Sequence, residues 1–239
     1  MFRRGHFIER LNKNSMSLNL SEYMGVAFDL DDTLIDRKSA YSKFIEIMLK
    51  NFEIFKNFSK NEAQKYFWNL SPNNSFNISK ALEKIKRDFS EFPLSYEEFY
   101  DFYYENMSQI IKPYDGAGEF LDKLLEKKIN FGIVTNGSHY QYEKLKNTGL
   151  ENKYNFVIAA EIFGHLKPKK EIFIETLRQL NLTLKEVENV VFIGDNPYTD
   201  IIGAQSVGFK TIWISMGREY PKDLLPPDYI IRNFKELRV

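Results

Sequence analysis

Asp29, Asp31 and Asp32 follow directly on a short apolar run, Met24 to Phe28. A buried strand that ends on two acids spaced two apart sets carboxylates where a sheet's carboxyl edge opens to ligands. Charges that close need a cation or a substrate to neutralise them. Three further apolar runs also end in polar groups. Phe131 to Thr135 leads into Asn136-Gly137-Ser138, Phe156 to Ala160 is followed by Lys167-Pro168, and Val190 to Gly194 is followed by Asp195, Asn196 and Asp200. Taken singly, each is routine turn or cap chemistry. Falling together at the strand ends of one sheet, they make a site.

Charge counting indicates what that site would hold. Asp29, Asp31 and Asp195 converge in this reading, with Asp200 close behind and Lys167 as the one cation. So many carboxylates require a divalent cation, and hard oxygen ligands without His or Cys select Mg2+. With magnesium and Lys167 in place the pocket can accept a phosphate dianion. The turn at Gly137 opens a helix, whose exposed N–H groups and positive dipole end favour the same anion. Leu34 stands where a calcium-binding EF-hand loop requires Gly. There is no Walker A sequence, no His-Glu-x-x-His and no Gly-x-Ser-x-Gly elbow, so those chemistries lack support. His6, His139 and His165 read as ordinary surface or loop residues.

These groups need a scaffold of strand and helix. From Pro113 onward short apolar runs alternate with helical segments over Glu119–Lys128, Tyr140–Asn147, Lys170–Leu180 and Thr199–Val207. Thr211–Ile214 adds a strand, and Tyr229-Ile230-Ile231 an edge strand. Such alternation predicts an α/β fold: a Rossmann-like parallel sheet with helices on both faces. Residues 37–112 differ, with helical spacing throughout and Pro72 and Pro93 as breaks, which predicts four helices. Ser95 and Glu98 form a capping box. Tyr41, Phe44, Ile45 and Met48 share a helical face, and Phe52, Phe55 and Phe58 another. The crowded aromatics (Tyr66, Phe67, Trp68, Phe99, Tyr100, Phe102, Tyr103, Tyr104) read as core of a helical bundle rather than a stacking platform. Arg37, Lys38, Tyr41 and Phe44 likewise read as packing rather than pocket lining. The expected organisation is an N-terminal extension over 1–23, an α/β catalytic core over 24–36 and 113–239, and a helical-bundle cap over 37–112, inserted after the first strand.

Composition narrows the partners. Lys plus Arg and Asp plus Glu number 33 each, so no global field exists to hold nucleic acid or an anionic membrane. No apolar run is long enough to span a bilayer. Cysteine is absent, which removes disulfides and thiolate chemistry and suits a reducing, cytoplasmic setting. Residues 1–23 carry Arg3, Arg4, Arg10 and Lys13 with no apolar stretch of secretory type. They read as a frayed or locally docked arm, with Met16 and Met24 as alternative beginnings.

The four motifs together resemble the haloacid dehalogenase-like hydrolase superfamily from Met24 onward. Asp29-Leu30-Asp31-Asp32-Thr33 is similar to its first motif, Thr135-Asn136-Gly137 to the second, Lys167-Pro168 to the third, and Gly194-Asp195 through Asp200 to the fourth. The resemblance implies that Asp29 is a nucleophile forming an aspartyl-phosphate, and that Asp31 is the general acid and then base. Neighbouring acids are expected to raise the Asp31 pKa for its acid role. Magnesium would be held by the Asp29 side chain, the Asp31 backbone carbonyl and Asp195, with Asp200 in support. Thr135, the Asn136 amide and Lys167 would bind the phosphoryl oxygens. Dehalogenating members lack an acid at the position of Asp31, so the resemblance points to the phosphatase branch.

The expected function is a magnesium-dependent phosphatase acting on a small phosphorylated substrate, a nucleoside monophosphate or sugar phosphate, as a monomer or homodimer. A phosphoryl transferase or mutase, and a non-catalytic binding protein of the same fold, are the competing readings.

Overall fold

Each apolar run that ends in a polar group becomes a parallel strand. The computed structural model of the chain describes residues 18–71 and 76–239. In chain order the strands are β1 (Leu18–Asn19), β2 (Gly25–Phe28), β3 (Phe131–Thr135), β4 (Phe156–Ala159), β5 (Val190–Gly194), β6 (Lys210–Ile214), β7 (Tyr229–Ile231) and β8 (Leu237–Arg238). Six of them form one all-parallel sheet in the order β4-β3-β2-β5-β6-β7. β2 sits between β3 and β5, so the ends of the three strands that carry the acids, the Thr-Asn pair and Asp195 are adjacent.

Alternate residues of these strands go to opposite faces, the period-2 pattern of a sheet covered on both sides. Val26, Phe28, Phe131, Ile133, Val191 and Ile193 enter one core, whereas Ala27, Val134 and Phe192 enter another. The helices of the α/β part are α5 (Ala117–Glu126), α6 (Tyr140–Asn147), α7 (Ala160–Phe163), α8 (Lys170–Gln179) and α9 (Ile202–Gln205). The helix expected over Thr199–Val207 is shorter than its pattern. The chain first makes a wide π turn over Pro197–Ile201, which brings the Asp200 side chain back against Gly194, and only then enters α9.

Between β2 and α5 lie four helices: α1 (Arg37–Asn51), α2 (Lys60–Trp68), α3 (Ile78–Asp88) and α4 (Tyr96–Ile110). Each opens on a side-chain cap that satisfies otherwise orphaned N–H groups. Asp36 accepts from Ser39 N and Asn77 from Lys80 N, while Ser59–Glu62 and Ser95–Glu98 form reciprocal capping boxes. Tyr41, Phe44, Ile45 and Met48 are buried together on α1 as expected. Phe52, Phe55 and Phe58 do not continue a helical face. The chain leaves α1 after Asn51 and makes one 3₁₀ turn over Glu53–Phe55, which folds Phe55 into the cap interior.

Of the N-terminal residues, 18–23 are docked: β1 pairs in parallel with β8, and Leu20 is fully buried. Expectations for residues 1–17 fall outside the described residues.

Phe55 touches Phe67 and Phe89 edge-on, with ring centroids 5.3 and 5.1 Å apart. Phe55→Ala should therefore cost about 3–5 kcal/mol of stability, read as a lowered urea midpoint; a loss under about 1 kcal/mol would show that the cap does not depend on this cluster.

Candidate active site

The Lys167 ammonium lies 2.6 Å from Asp29 Oδ1 and 2.7 Å from Asp200 Oδ1, with all three side chains buried. Lys167 is delivered by the loop that follows α7, joined to Pro168 by a cis peptide bond. Asn136 fixes that loop. Its Nδ2 donates to the Lys167 carbonyl at 3.1 Å, and its Oδ1 accepts from Lys167 N at 2.8 Å. The Asn136 side chain is thus committed to holding Lys167.

Asp29, Asp195 and Asp200 each bring one carboxylate oxygen within 4.8 Å of the others, all buried. Gly194 makes room for this, because a Cβ there would meet the Asp200 Cβ and Cγ at 2.6 Å. Asp200 also accepts from Asn196 N at 3.0 Å. The Asp29 carboxyl is pushed up to about 7 by burial and by its neighbours Asp200 and Asp31, against the pull of Lys167. Asp195 is held well above its ordinary value by burial and by Asp32, Asp200 and Asp29. Three crowded hard-oxygen donors, two of them resisting ionisation, fit a divalent cation.

Asp31 belongs to a different environment. Its carboxylate oxygens both lie 2.8 Å from Lys144 Nζ, and Gln141 Nε2 donates to Oδ2 at 3.0 Å. Burial acts to raise its pKa, but Lys144 and Arg37 together with the hydrogen bonds from Lys144 and Gln141 outweigh it, so the value is lowered. The expectation that neighbouring acids raise the Asp31 pKa is therefore corrected: the cations nearest it decide the sign. Asp31 could join the metal set only through its carbonyl. Asp32 turns away at φ 60°, accepting from Lys38 N and pairing with Arg37 at 3.1 Å, and so anchors the start of α1.

Nor is Lys167 the one cation. Lys144, Arg37 and Arg218 are added by the fold. Arg218 donates to the Asp195 carbonyl at 2.9 Å and to its Oδ2 at 3.0 Å, and Trp213 Nε1 donates to the same carbonyl. Gln141 Nε2 also lies 2.6 Å from Thr135 Oγ1. Three acceptors surround that nitrogen, two of which can only accept (the Asp31 carboxylate and the Asn136 carbonyl), which fixes the amide orientation. An amide nitrogen cannot accept, so Thr135 Oγ1 can only accept there and its own proton is not donated to Gln141.

The cavity over these groups measures about 390 Å³. Asp29, Asp31, Thr135, Asn136, Lys167, Asp195 and Asp200 all line it, as does Arg37, contrary to the packing role expected for it.

Comparison with known proteins agrees with this geometry. The sequence pattern of the haloacid dehalogenase-like hydrolase family matches residues 26–214, and the chain belongs to that family. It is 28% identical over 221 residues to the glyceraldehyde 3-phosphate phosphatase of Pyrococcus furiosus, covering 89% of this chain and 90% of the relative. Among solved structures, a haloacid dehalogenase-like phosphatase from Thermococcus onnurineus superposes with a TM-score of 0.64 at 26% identity, over 89% of this chain and 94% of the other. The hydrolase YfnB from Bacillus subtilis, solved bound to magnesium, superposes with a TM-score of 0.71 at 22% identity, over 90% and 96%.

Removing the Lys167 charge leaves Asp29 and Asp200 buried without their counter-ion. In EDTA at neutral pH, Lys167→Met should lose about 3–5 kcal/mol. Asp29 titrates near 7 in the fold against an ordinary 3.8, and higher still without the lysine. Below about 7 both folded proteins hold the Asp29 proton and above it only the variant still does, so the variant's deficit is smallest below 7 and grows in alkali. Denaturation of both proteins across this range checks the sign; a deficit that grew with acidity would contradict it.

Proposed function

We propose that this chain is a magnesium-dependent phosphatase that hydrolyses a small phosphate monoester through an aspartyl-phosphate on Asp29. The observation that carries the reading is the lysine ammonium held between Asp29 and Asp200 on the floor of a cavity that Thr135 and Asp31 also face. Similarity to a glyceraldehyde 3-phosphate phosphatase supports a small ester as substrate.

Asp29, Asp195 and Asp200, with the Asp31 carbonyl, would hold magnesium, which supplies neutralisation of the carboxylates and of the phosphoryl oxygens when bound. Lys167 and the Thr135 hydroxyl bind phosphoryl oxygens and stabilise charge that develops on them. An Asp29 oxygen attacks phosphorus, forming the Asp29–phosphorus bond as the ester bond breaks. The departing alkoxide takes a proton from Asp31. A phosphate dianion arriving beside Asp31 favours that protonation, against the pull of Lys144. Water then attacks phosphorus, gives its proton to Asp31, and the Asp29 carboxylate is released with inorganic phosphate.

With p-nitrophenyl phosphate and magnesium, wild-type protein should release inorganic phosphate in step with nitrophenol, and EDTA should abolish the release. Asp29→Asn should stay folded by circular dichroism and lose turnover by about 10⁴-fold or more; an active variant would contradict the assignment of the nucleophile. Asp31→Asn should lose about 10²–10⁴-fold on an alkyl phosphate but less on p-nitrophenyl phosphate, whose phenolate leaves without a proton. Equal losses on both esters would remove Asp31 from the acid role.

A further inference from the structure

Opposite the carboxylates, the cavity wall is built by the cap. Tyr96, Tyr100 and Tyr104 recur every four residues and form one stripe along α4. Successive ring centroids are 6.0 and 4.7 Å apart, and all three rings line the cavity together with Tyr103 and Phe76. Tyr104 is braced from the α/β part by Tyr140, stacked at 5.0 Å. This wall offers aromatic faces and phenolic hydroxyls.

The charges around it are unevenly distributed. Each cationic side chain lining the cavity already faces a carboxylate: Lys167 meets Asp29 and Asp200, Lys144 meets Asp31, and Arg37 meets Asp32. Lys144, 6.0 Å from the Tyr104 ring centre, is taken up by Asp31, so the charged group at the tyrosine stripe without an ion-pair partner among the described residues is Glu161, whose carboxylate accepts from the Tyr100 hydroxyl at 3.3 Å. A second anionic group on a substrate, once its phosphate is seated at Lys167, would find no uncommitted cation on that wall and would face a carboxylate. An uncharged hydroxyl would find Glu161 to accept its hydrogen bond, and carbon surface would find the tyrosine rings. The volume lies at the lower end of the range for small-molecule sites, which suits one monophosphate rather than a dinucleotide.

We infer that the alcohol part of the substrate is uncharged and hydroxyl-bearing, as in a triose, sugar or nucleoside monophosphate, and that Glu161 acts as a specificity residue that rejects esters carrying a second anionic group. The inference rests on the phosphatase reading and adds which esters that site accepts.

Two esters on the same three-carbon skeleton test it: sn-glycerol 3-phosphate and 3-phosphoglycerate, in which a hydroxymethyl group is replaced by carboxylate. Wild-type kcat/KM should favour the glycerol ester by about tenfold or more, since the 3-phosphoglycerate carboxylate would be brought up to the exposed, solvent-screened Glu161 carboxylate. Glu161→Gln should narrow that ratio chiefly by improving the 3-phosphoglycerate term. Calorimetric titration of both esters into Asp29→Asn protein with magnesium reads the same preference as an affinity. It is independent of phosphate release, and so separates this inference from the phosphatase reading. Equal or inverted preference in wild type, or a ratio untouched by Glu161→Gln, would overturn it.

Discussion

Crowding three carboxylates at the end of a buried sheet is the constraint to which the rest of the site answers. Asp29, Asp195 and Asp200 lie close enough to share an ion, and burial makes their charge expensive. Lys167 meets that constraint from a loop far away in sequence, tied to the second motif by the two-way Asn136 bond. The parallel sheet supplies the rest. Placing β2 between β3 and β5 means that three loops emerge side by side, so residues separated by more than a hundred positions become neighbours. Gly194 then lets Asp200 approach without a Cβ in the way.

Two acids only two residues apart have been given opposite electrostatics. Burial and the nearby Asp200 push Asp29 towards neutrality against the pull of Lys167, whereas the pull of Lys144 and Gln141 outweighs burial at Asp31 and keeps it ionised. Divergent environments of this kind are how a pair of carboxyl groups takes different chemical roles. Gln141 joins the two halves of the arrangement. It reaches Asp31 with the nitrogen that also contacts Thr135, so the acid and the hydroxyl are positioned by one side chain.

The scaffold was largely readable in the chain, because short apolar runs bounded by polar turns admit few alternatives once they alternate with helices. Phe131–Thr135, Val190–Gly194 and Tyr140–Asn147 have the boundaries that their patterns imply. The four acids and Lys167 were readable too, since each ends or follows such a run. What stayed hidden depends on neighbours across elements. Gln141 and Lys144 are three apart on α6 and look like any polar turn of an exposed helix, yet that spacing puts both beneath the cavity. Arg218 sits in a loop with no motif, and Arg37 resembles an ordinary first-turn residue. The cap aromatics divide in a way that periodicity alone cannot assign. Phe99 and Met107 are buried in the bundle, Tyr103 is buried yet reaches the cavity, and the adjoining stripe of Tyr96, Tyr100 and Tyr104 is turned to the cavity.

In the proposed reaction the phosphoryl group passes through the carboxylate at the end of the middle strand. Quenching the working enzyme into acid, reducing the acyl phosphate with borohydride and mapping the peptides by mass spectrometry tests it directly. Asp29, and no other acid, should be converted to homoserine in proportion to the trapped phosphate. Steady turnover with an unmodified Asp29, or reduction at Asp31, Asp195 or Asp200 instead, would contradict it.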